Sequence, residues 1–150
     1  MSDDGKDSRM FTLTEAERTR VEVEPFLIEA IELGHQIEEV DRRLQETAQR
    51  IAMLGGSLVT REPIEKMRGE HDRLSDAIRA ALERIESTGC VVKDLEVGLL
   101  DFPAMINNEE VYLCWRLGED RIRFYHRQDE GFSGRKPLDP RDDGPTPPIH

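Results

Sequence analysis

Two stretches of this chain carry apolar residues at steps that alternate between four and three, and they flank a Gly-Gly pair. The first runs Phe26, Ala30, Leu33, Ile37, Val40, Leu44, Thr47, Ile51 and Leu54 and stops at Gly55-Gly56. The second begins near Pro63 and runs Ile64, Met67, His71, Leu74, Ile78, Ala81 and Ile85 before Gly89. Such steps keep one stripe of a helix turned toward one partner, which is a heptad seam. Proline's fixed φ suits a first helical turn and glycine suits a stop. If the chain reverses through residues 55–62, the seams meet in register, with Leu54 facing Ile64, Ile51 facing Met67, Leu44 facing Leu74 and Val40 facing Ile78. The pattern therefore predicts a long antiparallel, coiled-coil-like helical hairpin. Its single polar layer sets Thr47 against a buried His71, with a hydrogen bond expected between them. That layer reads as a register-fixing pair in preference to a buried pH switch. Flanking charges such as Arg50 and Glu70 read as a solvated rim that adds little stability.

The hairpin has a marked start. Thr12 precedes Glu15 by three residues, the spacing of a capping box in which each side chain satisfies a free backbone N–H. Pro25 removes a hydrogen-bond donor and crowds the preceding turn, so a kink or break is expected there before the longer helix resumes. Val23, Leu27, Ile28 and Ile31 widen the apolar surface opposite Ala77, Leu82 and Ile85, far from the reversal. This base needs a cover, and the segment leaving Gly89 is placed to supply it.

That segment reads as a three-stranded antiparallel β meander at residues 99–105, 110–117 and 121–126, turned by Asn107-Asn108 and by Gly118-Glu119-Asp120. Pro103 lacks an N–H and marks its strand as an edge at that point. Alternation puts Val111, Leu113, Trp115 and Leu117 on the helix-facing side with Leu100, Phe102, Ala104, Ile122 and Phe124. The opposite face receives Asp101, Tyr112, Cys114, Arg116, Arg123 and Tyr125, either as an anion-binding cluster or as a solvated face with an Asp101–Arg116 ion pair. Cys114 reads as inert, since this register puts no histidine beside it. The fold class is α+β. Hairpin (about 12–88) and β-rich part (about 90–138) form one domain over residues 11–138, between unstructured segments at 1–10 and 139–150.

Charge narrows the partners. A net charge of -11 works against nucleic acid and anionic membranes, whose binding depends on clustered Lys and Arg. No apolar stretch approaches the ~20 residues of a spanning helix, and the acidic start lacks the look of an export signal, so a cytoplasmic protein is expected. Cys90 and Cys114 have no CxxC spacing, which argues against a disulfide or a zinc motif. His126, Asp129 and Glu130 lie close together in sequence and are weak metal candidates. However, metal sites usually draw ligands from more than one element, so no metal or other cofactor is expected. The glycines of Gly131-Phe132-Ser133-Gly134-Arg135 do not make a P-loop, and no HExxH, nucleophile elbow or dinucleotide fingerprint occurs.

The runs Lys93-Asp94-Leu95, Gly98-Leu99-Leu100-Asp101-Phe102-Pro103-Ala104, Val111-Tyr112-Leu113-Cys114-Trp115-Arg116-Leu117-Gly118-Glu119 and Gly131-Phe132-Ser133-Gly134-Arg135-Lys136-Pro137-Leu138, with His126 between the last two, resemble the bacterial family known as domain of unknown function 2203. The opening Phe11-Thr12-Leu13-Thr14-Glu15-Ala16 resembles its start. The resemblance departs at Thr19-Arg20-Val21 and at Tyr125. It implies a bacterial, cytoplasmic protein and brings no activity with it. Two functions remain. One is a non-catalytic interaction or oligomerisation module, acting through the hairpin on a second copy or a protein partner. The other is a small-ligand or hydrolytic enzyme in which Arg116 and Arg135 clamp an anion, Asp101 orients Arg116 and His126 is the acid or base. The register opposes a compact version of the second, because it sets His126 and Asp101 on opposite faces.

Overall fold

The computed structural model describes residues 9–55 and 62–138. Helix α1 spans Leu13–Met53 and helix α2 spans Glu62–Glu86. The two pack together, and a five-stranded antiparallel sheet follows. Its strands, in spatial and chain order, are β1 (Val91–Asp94), β2 (Leu99–Ile106), β3 (Glu109–Arg116), β4 (Phe124–Arg127) and β5 (Lys136–Pro137). The expected meander of three strands is thus the middle of a larger sheet, and β4 begins at Phe124 instead of residue 121. Of the unstructured ends expected at 1–10 and 139–150, residues 1–8 and 139–150 lie outside the described residues, as does most of the reversal. Arg9 is engaged, donating to the Thr88 carbonyl at 2.8 Å and covering the Phe11 ring.

The capping box forms in full, with Thr12 Oγ1 accepting from the Glu15 N–H and Glu15 Oε1 accepting from the Thr12 N–H. Pro25 lies inside α1 and does not break it. The hydrogen bond it forfeits belongs to the carbonyl four residues earlier, at Val21, which is 60% exposed and open to water. Meanwhile Val23, Leu27 and Ala30 on the other side of the helix are buried. The base packs as expected except at Ile28, which is 41% exposed. His71 does not bond Thr47. It is half-buried, and its Nε2 lies 3.2 Å from Asp41 Oδ1, while Arg43 reaches Glu70 at 3.3 Å. An ionisable partner six residues before Thr47 on α1 outcompetes a hydroxyl in the seam.

One core joins helices and sheet: Leu13, Ala16, Val23, Leu27 and Ile85 pack with Leu100, Phe102, Ala104, Val111, Leu113, Trp115 and Ile122. Full burial of a side chain such as Leu27, Phe102 or Leu113 stabilises by ~2 kcal/mol. The β2–β3 register is as expected, with Leu100 opposite Trp115, Phe102 opposite Leu113 and Ala104 opposite Val111. Asn107 and Asn108 both take positive φ in a two-residue hairpin turn. The outer edge of β2 at Pro103 is beyond β1. There the Pro103 carbonyl accepts from the Phe11 N–H at 2.7 Å, so the missing proline N–H leaves no sheet bond unmade. Among the described residues, no helix is long and apolar enough to cross a membrane.

The β3–β4 register differs from the expected one by a residue. Cys114 pairs with Phe124, Leu113 with Tyr125 and Tyr112 with His126. Ile122 remains in the core, but Tyr125 now packs on that core while Phe124 and His126 belong to the other face. The cause is local. The Ile122 N–H bonds Glu17 Oε2 on α1 at 2.6 Å, and the Arg123 carbonyl accepts from the Leu138 N–H at 2.7 Å. These residues therefore do not join the β3 ladder, so the period of two does not run through them. Such a shift moves every following side chain to the opposite face.

Candidate functional site

The shift brings together three residues from three adjacent strands. Asp101 of β2 and Cys114 of β3 are direct cross-strand partners, and His126 of β4 lies beside them on the same face. One ligand-capable atom from each lies within 4.8 Å of the other two. All three are sealed from solvent: Asp101 is 1% exposed, Cys114 0% and His126 2%. His126 Nε2 is 3.1 Å from Asp101 Oδ2, and its Nδ1 is 2.9 Å from the Arg127 carbonyl oxygen. A carbonyl can only accept, so Nδ1 carries a proton. The other ring nitrogen, Nε2, faces the Asp101 carboxylate and forms an ion pair with it when it too carries a proton. Asp101 Oδ1 is buried with no hydrogen-bond partner.

Electrostatics follow from burial. Removal from water pushes the Asp101 carboxyl above its ordinary range, against the opposing pull of His126 and, more weakly, of Lys93 and Cys114. Burial, reinforced by the Asp101 charge, pushes the Cys114 thiol up to about 12, while Arg135 pulls it down. The Cys90 thiol is also raised by burial, but Cys90 belongs to the core between sheet and helices.

The other residues singled out from sequence fall around this cluster. Arg135 donates to Glu119 at 2.7 Å, and its guanidinium lies 3.9 Å from the Phe124 ring centre and 4.3 Å from that of Phe132. Glu119 pairs with it, and the Arg116 guanidinium lies 6.0 Å from the centre of the same Phe132 ring, so the two arginines flank one side chain. Arg116 is exposed and sits opposite Leu99, and the expected Asp101–Arg116 ion pair is replaced by Asp101–His126. Arg123 pairs with Asp120 at 2.9 Å. Asp129 is exposed, and Glu130 is held by Lys136 at 2.8 Å, so neither joins His126 as a ligand. Tyr112 stays beside His126, with ring centres 5.4 Å apart.

The sequence offered one overlooked sign of this cluster. Residues 99–106 read Leu-Leu-Asp-Phe-Pro-Ala-Met-Ile, apolar on both faces, as expected of a strand covered on both sides. A lone aspartate in such a run is buried and needs a partner.

A model of uncharacterized conserved proteins, DUF2203, matches residues 9–138. No curated protein and no solved structure matches the chain. The match takes in both helices and all five strands, including Asp101, Cys114 and His126. The chain therefore belongs to the family of uncharacterized conserved proteins DUF2203.

Proposed function

We propose that this protein is a non-catalytic binding module that holds a small cation inside its sheet end. The observation that carries the reading is Asp101 Oδ1, a carboxylate oxygen sealed from water and left without a donor. An unpaired buried carboxylate oxygen is costly, and here its neighbours are an imidazole nitrogen and a thiol sulfur, each a ligand atom once it gives up its proton. Three such atoms turned on one another can take a cation in place of those protons. Near-complete burial argues against an exchanging substrate and hence against the enzyme reading. Native mass spectrometry of the chain purified without chelator tests this. A small retained mass that Asp101→Asn releases supports it, and a bare chain under all conditions refutes it.

Self-association through the hairpin is a second reading with its own observation. Beyond the base, Leu33, Ile37, Leu44, Ile51, Met67, Leu74 and Ile78 are only half-buried, and Val40 alone of that stretch of α1 is fully covered. Two helices cover one side of a coiled-coil seam, and a second hairpin completes a four-helix arrangement. Light scattering across micromolar concentrations distinguishes a dimer from the strict monomer that refutes it. The acidic chain and its two free, buried thiols suit a reducing cytoplasm.

A further inference from the structure

We infer that Asp101, Cys114 and His126 hold one divalent transition-metal ion of the zinc class. This deepens the cation reading and rests on it.

The donor set selects the ion. Calcium takes six to eight oxygens and magnesium an octahedron of oxygens and waters, whereas this cluster offers one oxygen, one nitrogen and one sulfur. Mixed donors of this softness suit zinc and its neighbours, and three protein ligands meet the minimum of a zinc centre. Charge selects it as well. A carboxylate and a thiolate together balance a dication, so binding turns two groups that are costly to bury as anions into a neutral centre.

The surroundings match those of a metal-bound histidine. Such a ring donates its other N–H to a carbonyl or carboxylate, which fixes its tautomer and orientation. His126 does this through Nδ1 to the Arg127 carbonyl. The carbonyl is itself held in place. The Arg127 N–H bonds Glu130 Oε1 at 2.9 Å, the Glu130 N–H returns to the Arg127 carbonyl at 3.0 Å, and Lys136 grips the Glu130 carboxylate at 2.8 Å. These three contacts hold the turn that carries the carbonyl facing His126 Nδ1.

The chain carries its own control in Cys90, a second buried thiol on the helix side of the sheet. Metal content of the chain purified without chelator is measured first, and the stripped chain is then titrated with Co2+. The expected result is one ion per chain, with the intense visible absorption of a tetrahedral site and a thiolate-to-cobalt charge-transfer band in the near ultraviolet. Cys90→Ser retains that band. Cys114→Ser loses it while keeping the helical circular dichroism, and Glu130→Ala keeps it with Co2+ affinity lowered ~10-fold. If Cys114→Ser does not fold, the wild-type and Cys90→Ser spectra decide alone. Co2+ uptake without a charge-transfer band, or a band that Cys90→Ser abolishes, overturns the inference. A retained non-metal cation with no Co2+ uptake overturns the metal and leaves the cation reading standing. A bare chain that takes up no Co2+ overturns both.

Discussion

Replacing Glu17 by alanine tests why the candidate site exists at all. The Glu17 carboxylate accepts the Ile122 N–H at 2.6 Å through Oε2 and the Arg20 guanidinium at 2.8 Å through Oε1. Ile122 is 1% exposed, so its amide has no water to fall back on. A hydrogen bond to a charged group contributes ~1.5–3 kcal/mol, and a buried donor left unpaired costs a similar amount. The Arg20 side chain is only 12% exposed but keeps a second carboxylate, Glu24 at 3.2 Å, so losing Glu17 does not leave it unpaired. Glu17→Ala is therefore expected to destabilise by ~2 kcal/mol, and Glu17→Gln, which keeps an acceptor oxygen, by ~1 kcal/mol. With a urea m value of ~2 kcal/mol/M, the unfolding midpoint falls by ~1 M for alanine and ~0.5 M for glutamine. Hydrogen exchange adds the local readout, because the Ile122 amide loses protection in Glu17→Ala before the β2–β3 amides do. A midpoint unchanged within ~0.2 M, with Ile122 still protected, refutes the argument that this contact resets the strand register.

Three further outcomes follow from the fold. Thr12→Ala removes one half of the capping box and lowers stability by ~1 kcal/mol in urea unfolding. Gly98 has φ +77° and a Cβ built there would lie 2.7 Å from Leu117 Cβ, so Gly98→Ala costs ~2 kcal/mol or more and lowers the melting temperature. The Glu130 carboxyl is held below its ordinary range by Lys136 and the Arg127 N–H. Its folded form thus prefers the charged state: the stabilisation is present above the unfolded pKa of ~4.3 and disappears as pH falls through the lower folded value. Protection factors of residues 127–136, taken relative to intrinsic exchange at each pH, should fall on acidification through that window in wild type and not in Glu130→Gln.

Both helices, the capping box and the β2–β3 register were legible because each is written locally. Heptad steps, a Thr-x-x-Glu spacing and an Asn-Asn turn need no knowledge of distant residues. Strands β1 and β5 were missed because they are four and two residues long and take their order from neighbours. Asp101, His126 and Arg135 were named from sequence, yet their grouping was misread and Cys114 was set aside. The deciding contact, Glu17 to Ile122, spans 105 positions and leaves no periodic trace. Pro25 misled for a related reason. Its cost depends on whether the orphaned carbonyl meets water, and only the packed helix shows that it does.

The hairpin separates two properties that most small folds tie together. In the shared core the sheet packs on α1 as far as Ile31 and on α2 from Leu82 onward, and the Leu95-Glu96 turn shares a pocket with α1 as far as Glu38, while α1 continues to Met53. Adding one heptad to each helix lengthens the arm by ~10 Å and leaves every contact of the sheet unchanged. Reach is consequently free to drift among relatives while the chemistry at Asp101, Cys114 and His126 stays fixed, and variation in chain length should collect at the tip in whole turns.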